Sequence, residues 1–314
     1  MRSNKPSMLV TGSTGFVGSR LCEVTTQGGW SVSRAVRHIY GMRDEVVVGD
    51  IGDKTDWSEA LKNIKVVIHL AARVHVMNDS VGDPLAEFRK VNTEGTLNLA
   101  RQAAISGIKR FIFISSIKVN GEMTSADQPF QSNDNYLPTD PYGLSKYEAE
   151  KGLLALAKET GMEVVIIRPP LVYGPGVKAN FLSMMRWINK GVPLPLGAIH
   201  NQRSFVALDN LVGFIIHCID HPKAANEVFL ISDGEDVSTT ELLQTIAKVF
   251  SKRSLLIPVP AWLMTLAAKL IGKEDMANRL FGSLQVDSSK ARDLLGWKPV
   301  ITMHEQLKKI ADAT

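Results

Sequence analysis

Cysteine is scarce in this sequence of 314 residues, because Cys22 and Cys218 are the only two. Neither stands at a spacing typical of metal ligands or of a redox pair, so we expect buried free thiols in a reducing compartment. A basic run is also missing, and 36 basic against 32 acidic residues give a formal net charge of +4. The sequence therefore excludes a disulfide framework and argues against nucleic-acid binding.

The chain has no hydrophobic run long enough to cross a membrane. Its most apolar stretch, residues 259–272, is interrupted by Lys269 and is shorter than the roughly 20 residues that a span requires. We interpret it as a helix that begins near Pro260 and packs on the protein, with an interfacial membrane anchor as the alternative. The first residues are polar and contain no secretory signal. These absences predict a cytoplasmic protein without a membrane span.

The N-terminal region carries glycines at a three-residue spacing between an apolar strand and an amphipathic helical pattern. Gly12, Gly15 and Gly18 follow the strand that begins at Met8, and the helix is predicted over residues 16–27. Gly12 allows a tight turn, Gly15 lets backbone N–H groups approach a pyrophosphate, and Gly18 lets the helix pack on the strand. Plain turns also use glycine, but the flanking strand and helix favour a dinucleotide-binding site.

A second pattern, Tyr142-Gly-Leu-Ser-Lys146, follows Asp140 and a proline, which are typical of a helix cap and first helical residue. Tyr142 and Lys146 then share one helix face. The ammonium and the helix N-terminus both lower the phenol pKa from its usual value of about 10, toward the range for acid–base catalysis. An ordinary surface pair is the alternative. Ser115 and Ser116 end a strand candidate, at the edge where doubly wound sheets bind ligands.

Apolar strand candidates alternate with helical patterns in the first half of the chain. They lie at residues 32–36, 46–48, 66–70, 110–115 and 164–168. This alternation predicts an α/β fold, a Rossmann-type doubly wound parallel sheet with helices on both faces. Helices separated by proline-rich turns follow. We therefore expect a dinucleotide-binding domain over residues 1–170 and a smaller, mostly helical substrate lobe over residues 171–314, with a possible strand returning to the first domain.

In their order along the chain, these motifs resemble the extended short-chain dehydrogenase/reductase superfamily, in its branch that acts on nucleotide sugars. The resemblance covers nearly the whole chain and also rests on the segments His69-Leu-Ala-Ala72, Arg168-Pro-Pro-Leu-Val-Tyr-Gly-Pro175 and Arg203-Ser-Phe-Val206. It implies an enzyme of surface polysaccharide biosynthesis that transfers a hydride at C4 of a UDP-hexose or UDP-N-acetylhexosamine. It also implies a homodimer, as family members form.

The same resemblance implies a role for each matching residue. The catalytic residues are Ser116, Tyr142 and Lys146. The cofactor-binding residues are Gly12, Gly15, Phe16, Val17, Gly18, Asp50, Ile51, Ala71, Ala72, Tyr142, Lys146 and Pro169. The substrate-binding residues are Ser116, Lys118, Asn180, Phe181, Arg203 and Arg279. No metal ion is expected in this site.

The end of the second strand candidate lacks the acidic residue that usually holds the ribose 2′-hydroxyl of NAD. Arg37 stands there, and Arg34 lies within the strand. A guanidinium is suited to the 2′-phosphate of NADP, because it forms charge-assisted hydrogen bonds with phosphate oxygens. We therefore expect NADP as the cofactor. In the alternative, both arginines are solvated and NAD binds.

Departures from the family pattern guide the choice of reaction. Ile117 and Lys118 stand where similar 4,6-dehydratases carry an Asp-Glu pair, which disfavours dehydration. Reduction of a 4-keto sugar needs an exchangeable NADPH, so Arg37 favours a 4-ketoreductase. Epimerisation of UDP-glucose or UDP-N-acetylglucosamine at C4 is the alternative. A non-catalytic NADP-binding sensor is less favoured, because Ser116, Tyr142 and Lys146 are all present.

Overall fold

The computed structural model describes residues 5–74, 83–125, 127–270, 272 and 274–313. The strands are β1 (Met8–Thr11), β2 (Val32–Val36), β3 (Glu45–Val47), β4 (Val66–His69), β5 (Arg110–Ile114), β6 (Glu163–Arg168), β7 (Leu171–Tyr173), β8 (Arg203–Ala207), β9 (Glu227–Leu230) and β10 (Asp236–Val237). Seven of them form a parallel sheet in the order β3-β2-β1-β4-β5-β6-β9. The predicted doubly wound α/β fold is confirmed.

Helices cover both faces of this sheet. They are α1 (Phe16–Gln27), α2 (Pro84–Phe88), α3 (Thr96–Ile105), α4 (Pro141–Thr160), α5 (Ala179–Asn189), α6 (Leu208–His217), α7 (Thr239–Val249), α8 (Ala261–Leu270), α9 (Glu274–Phe281), α10 (Ser289–Leu295) and α11 (Met303–Asp312). A π-helical segment, Arg89–Gly95, connects α2 to α3. Among the described residues, no helix has the length and apolar character needed to cross a membrane.

The strands at the centre of the sheet are buried on both faces, as parallel strands between two helical layers are. In β1, Met8 and Val10 belong to one core cluster and Leu9 belongs to the cluster on the opposite face. This division follows from the period of two along a strand. The first cluster includes residues of α1 and α6, and the second includes residues of α3 and α4.

The order of the strands determines where ligands can bind. From β1 the chain proceeds to β2 and β3 on one side of the sheet, and β4, β5 and β6 follow on the other side. In such a sheet the carboxyl ends of the strands on either side of this reversal border a crevice. The glycine loop after β1, the residues after β4 and the two serines after β5 therefore lie at one edge.

The later part of the chain contributes more strands than its sequence pattern indicated. β9 pairs in parallel with β6, with Val165 opposite Glu227, and thereby completes the main sheet. A separate sheet has the order β10-β8-β7. A third core cluster joins residues of α5, α7 and α11. The division into two lobes at residue 170 stays a prediction.

Candidate functional site

The glycine loop after β1 is held closely against its neighbours. Gly12 has φ +66°, and a Cβ atom there would lie 2.8 Å from the backbone nitrogen of Ala71. A Cβ at Gly18 would collide with the Gly12 carbonyl oxygen. A Cβ at Gly15 would have one close contact among the described residues, with the Gly12 carbonyl oxygen at 3.1 Å. Side chains are thus excluded where the turn, β4 and α1 meet, as the sequence predicts for Gly12 and Gly18.

Polar groups in this loop fit the pyrophosphate of a dinucleotide. Gly15 caps α1 without a side-chain hydrogen bond, so the first N–H groups of the helix have no capping side chain. The Ser13 hydroxyl is buried and has no hydrogen-bond partner among the described residues. A helix N-terminus with a buried, unpaired hydroxyl beside it favours an anion. A cavity of about 530 Å³ opens here, lined in part by Gly15, Phe16, Pro175, Gly176 and Lys178.

A buried histidine connects the glycine loop to the π-helical segment. Thr96 Oγ1 donates to the Asn92 carbonyl oxygen at 2.7 Å and so accepts from His69 Nε2 at 3.0 Å. His69 Nδ1 consequently accepts from Thr11 Oγ1, 2.8 Å away. Burial, and secondly the charge of Lys146, lower the pKa of His69 to about 3. The imidazole is therefore neutral in one fixed tautomer.

Asn92 continues this network to helix α4. Its Oδ1 accepts from the Arg73 backbone nitrogen at 2.8 Å, and its Nδ2 donates to the Ser145 hydroxyl at 3.1 Å. The Ser145 hydroxyl donates in turn to the Tyr142 carbonyl oxygen at 2.8 Å. Asn92 is hydrogen-bonded to four groups, which belong to Arg73, Thr96 and Ser145. The π-helical segment thus places the Asn92 side chain between the residues after β4 and helix α4.

Helix α4 carries Tyr142 to the segment after β5. Asp140 caps the helix by accepting from Gly143 N at 3.0 Å, as the sequence predicts. A Cβ at Gly143 would lie 2.9 Å from the Lys118 carbonyl oxygen, so the two segments are in close contact. Burial raises the pKa of Tyr142 to about 12, although a hydrogen bond with the Ser116 hydroxyl lowers it. The structure thus brings Ser116 and Tyr142 together.

The expectation that Lys146 lowers the pKa of Tyr142 is wrong for this structure. Lys146 is only 1% exposed, and its Nζ donates to the Ile114 carbonyl oxygen at 2.9 Å, above the Phe113 ring. Burial lowers the pKa of Lys146 itself to about 7, while the charge of Glu150 raises it. Removal from water is the largest influence on the pKa of both Tyr142 and Lys146, since burial disfavours the charged form of each.

Sequence reasoning missed a buried ion pair next to Lys146. Arg168 donates to Glu150 through Nε, at 3.0 Å from Oε1, and both side chains are buried. Arg168 Nη1 also donates to Asn120 Oδ1 at 3.0 Å, and Asn120 Nδ2 donates to the Gln131 carbonyl oxygen at 2.7 Å. This chain of contacts joins α4, β6 and the loop before Tyr142. Spacing along the sequence gives no signal for this pair, because Glu150 lies on α4 and Arg168 on β6.

The predicted cofactor-binding residues lie after neighbouring strands of the sheet. Arg37 directly follows β2 and is exposed. Asp50 and Ile51 follow β3, and a Cβ at Gly95 would lie 2.6 Å from the Ile51 side chain. The remaining predicted residues are Phe16 and Val17 at the start of α1, Ala71 and Ala72 after β4, and Pro169 after β6. All these positions belong to the carboxyl edge of the sheet.

Two predicted substrate residues are held by other parts of the protein. Lys118 forms ion pairs with Glu122 at 3.0 Å and with Asp140 at 3.2 Å. Arg203 Nη1 donates to the Gly282 carbonyl oxygen at 2.9 Å, and burial lowers the pKa of Arg203. Each cation would have to share or exchange these partners to bind a diphosphate. Their substrate roles stay predictions.

Phe181 packs in the third core cluster, where its ring is 2% exposed and stacks on Tyr173 at 5.4 Å. Its visible role is therefore packing. Asn180 and Arg279 belong to α5 and α9, but their side chains lie outside what the structure describes. Contacts of Phe181, Asn180 and Arg279 with a substrate also stay predictions.

The chain is similar to several known proteins. The model of the NAD dependent epimerase/dehydratase family matches residues 8–232. A UDP-glucose 4-epimerase of Vibrio cholerae is 55% identical over 316 residues, which cover 99% of this chain and 96% of that protein. The structure of MoeE5 in complex with UDP-glucose and NAD is 25% identical, with a TM-score of 0.77 and 98% of each chain covered.

The structure of RMD from Pseudomonas aeruginosa complexed with NADPH has a TM-score of 0.75 at 24% identity, covering 98% of this chain and 99% of that one. At that identity it supports the fold alone. The family match covers most of the chain, and it coincides with the glycine loop and the Ser116, Tyr142 and Lys146 cluster. The protein is therefore an NAD(P)-dependent enzyme of the extended short-chain dehydrogenase/reductase superfamily, and it belongs to the NAD dependent epimerase/dehydratase family.

Proposed function

We propose that the protein is a UDP-sugar 4-epimerase, which inverts the hydroxyl at C4 of UDP-glucose or UDP-N-acetylglucosamine. The observation that carries the proposal is the 55% identity, over nearly the whole chain, to a UDP-glucose 4-epimerase of Vibrio cholerae. MoeE5, at 25% identity, has been solved with UDP-glucose and NAD. These similarities favour the alternative that the sequence left open over the 4-ketoreductase that it preferred.

The site contains the groups that this reaction needs. Tyr142 exchanges a proton with the C4 hydroxyl, and Ser116 donates a hydrogen bond to the same oxygen. Lys146 binds the nicotinamide ribose. A bound oxidised cofactor would supply a hydride acceptor and positive charge, which would favour the phenolate. A base role requires the pKa of Tyr142 to fall from about 12, because burial alone keeps the phenol protonated at neutral pH.

The first test follows the hydride. With a catalytic amount of NAD, we expect UDP-glucose and UDP-galactose to interconvert without net reduction of the cofactor, because an epimerase returns the hydride that it removes. A deuterium at C4 of the substrate should remain at C4 of the product. Product analysis by NMR and the absorbance of the reduced nicotinamide measure both results. UDP-N-acetylglucosamine is assayed in parallel to choose between the two sugars.

A UDP-4-keto-6-deoxy-N-acetylhexosamine with deuterated NADPH provides the opposing assay. One NADPH consumed per product, with deuterium at C4, would overturn the epimerase proposal in favour of reduction. The absence of dehydration of UDP-glucose is expected in either case, since Ile117 and Lys118 replace the acidic pair.

A second test concerns the cofactor. The proposed epimerase works with NAD, and we propose that Arg37 lets the same site also bind NADP by contacting its 2′-phosphate. Arg37→Ala should then weaken NADP binding by about 1–3 kcal/mol, the range for hydrogen bonds to charged groups, and barely change NAD binding. Two titrations per variant measure the difference. Arg101→Ala removes one exposed positive charge from α3 and is the matched control. Equal weakening of both cofactors by Arg37→Ala would contradict the proposal.

A further inference from the structure

The outer face of α8 is apolar. Its exposed side chains are Trp262, Leu263, Leu266 and Leu270, with exposed fractions of 68%, 45%, 51% and 81%. The spacing of these residues places them along one side of a helix. Ala261 and Met264 lie on the other side and pack against the third core cluster. The helix is thus held by one apolar face and presents a second one outward.

Further exposed apolar side chains lie in the segments before α8 and after α5. These two segments pair with each other, since Leu194 N donates to Leu255 O at 2.9 Å and Ile257 N donates to Leu194 O at 2.8 Å. Leu255 and Ile257 are 48% and 50% exposed. Trp187, near the end of α5, and Val192, just after that helix, are also exposed. We call the eight residues Trp187, Val192, Leu255, Ile257, Trp262, Leu263, Leu266 and Leu270 the apolar surface.

The two segments that carry the apolar surface are rich in cations, although Glu274 and Asp275 follow directly after the second one. Neither residues 179–199 nor residues 246–273 contain an aspartate or glutamate, although the whole chain is nearly balanced in charge. The cations in these two segments are Arg186, Lys190, Lys248, Lys252, Arg253, Lys269 and Lys273. All of them except Lys273, which lies outside the described residues, are exposed. Exposed tryptophans and leucines within a cationic rim are typical of interfacial membrane binding.

We propose that the apolar surface docks the protein on an anionic membrane surface. Trp262 and Leu266 enter the boundary between headgroups and acyl chains, and the surrounding cations contact lipid phosphates. Tryptophan suits this boundary because its ring is apolar and its N–H group is polar. The docking is peripheral, since α8 is too short to cross a bilayer.

Charge favours a lipid surface over a second copy of this chain. A symmetric dimer brings the same surface patch of each subunit together. A dimer formed through the apolar surface would bring the cations of one copy against the same cations of the other. Like charges facing each other in an interface are unfavourable. An anionic lipid headgroup instead neutralises each cation, at about 1 kcal/mol per lysine or arginine near the surface. The proposal thus takes up the interfacial anchor that was the alternative interpretation of residues 259–272.

The test is co-sedimentation of the full-length protein with vesicles. We expect binding to phosphatidylglycerol–phosphatidylcholine vesicles and much weaker binding to phosphatidylcholine alone. The double variant Trp262→Ser/Leu266→Ser should bind the mixed vesicles about tenfold or more weakly, because two large apolar side chains are lost. Ile105→Ser is the matched control, since Ile105 is 87% exposed on α3, outside the apolar surface. Circular dichroism establishes that each variant is folded.

Charge-reversal variants distinguish binding to anionic lipid from non-specific hydrophobic adsorption. Lys252→Glu/Arg253→Glu should weaken binding to the anionic vesicles, whereas Lys158→Glu on α4 should change it much less. Failure of the unchanged protein to bind anionic vesicles, or equal binding to neutral ones, would overturn the proposal. So would a dimer, detected by light scattering, that the Trp262→Ser/Leu266→Ser variant abolishes. None of these readouts depends on the proposed epimerase activity.

Discussion

Turnover of Tyr142→Phe falls by about two to four orders of magnitude, the usual contribution of a positioned acid or base. The substitution removes only the phenolic oxygen, which in the proposed reaction exchanges the proton with the C4 hydroxyl. The ring keeps its edge contact with Phe88, whose centroid lies 5.9 Å away. Thermal stability and cofactor affinity therefore stay close to those of the unchanged protein. Single-turnover rates of UDP-sugar conversion and a cofactor titration measure the two effects separately.

Tyr147→Phe is the matched control for this experiment, because Tyr147 lies on the same helix. It stacks with the Lys151 ammonium at 5.4 Å and has no role in the proposed proton transfer. Its turnover should be nearly unchanged. Near-normal turnover of Tyr142→Phe, or an equal loss in both variants, would refute the assignment of Tyr142 as the proton-transfer group.

Glu150→Gln lowers the free energy of unfolding by about 3–5 kcal/mol, the usual cost of breaking a buried ion pair from one side. The side chains of Arg168 and Glu150 are 8% and 3% exposed, so water cannot replace the missing carboxylate. The same change removes a negative charge that raises the pKa of Lys146. The pKa of Lys146 should therefore fall below its value of about 7. Urea denaturation measures the first effect, and NMR titration of Lys146 measures the second.

Glu148→Gln provides the comparison on the same helix. Glu148 pairs with Arg89, but these side chains are 27% and 42% exposed, so the loss should be below about 1 kcal/mol. The pKa of Lys146 should not change. If the two variants lost equal stability, Glu150→Gln would not leave Arg168 as a buried charge without its counterion, contrary to the structure.

The local features of the site were predictable because each depends on neighbours in sequence. The close turn at Gly12, the cap at Asp140 and the first turn of α4 all agree with the structure. Such features follow from backbone geometry and short-range hydrogen bonds, which a sequence pattern specifies directly. The placement of Ser116 near Tyr142 was predictable for another reason, since parallel strands end at a common edge of the sheet.

The protonation states in the site were not predictable. Helical spacing correctly places Tyr142 and Lys146 one turn apart, and this proximity, together with the helix N-terminus, suggested a lowered pKa for Tyr142. Burial instead raises the pKa of Tyr142 to about 12 and lowers that of Lys146 to about 7. Desolvation depends on every element packed around a group, so spacing along one helix cannot give the sign of the net shift.

By itself, the sequence determined the α/β class, the glycine loop, the start of α4 and the membership of an enzyme family. These properties reside in periodicity, capping and local motifs. Only the tertiary structure decided that His69 links Thr11 to Thr96, and that Arg168 joins Glu150 to Asn120. It also decided that β9 completes the main sheet. Such contacts join residues far apart along the chain, and they form because buried polar groups must find partners within the folded protein.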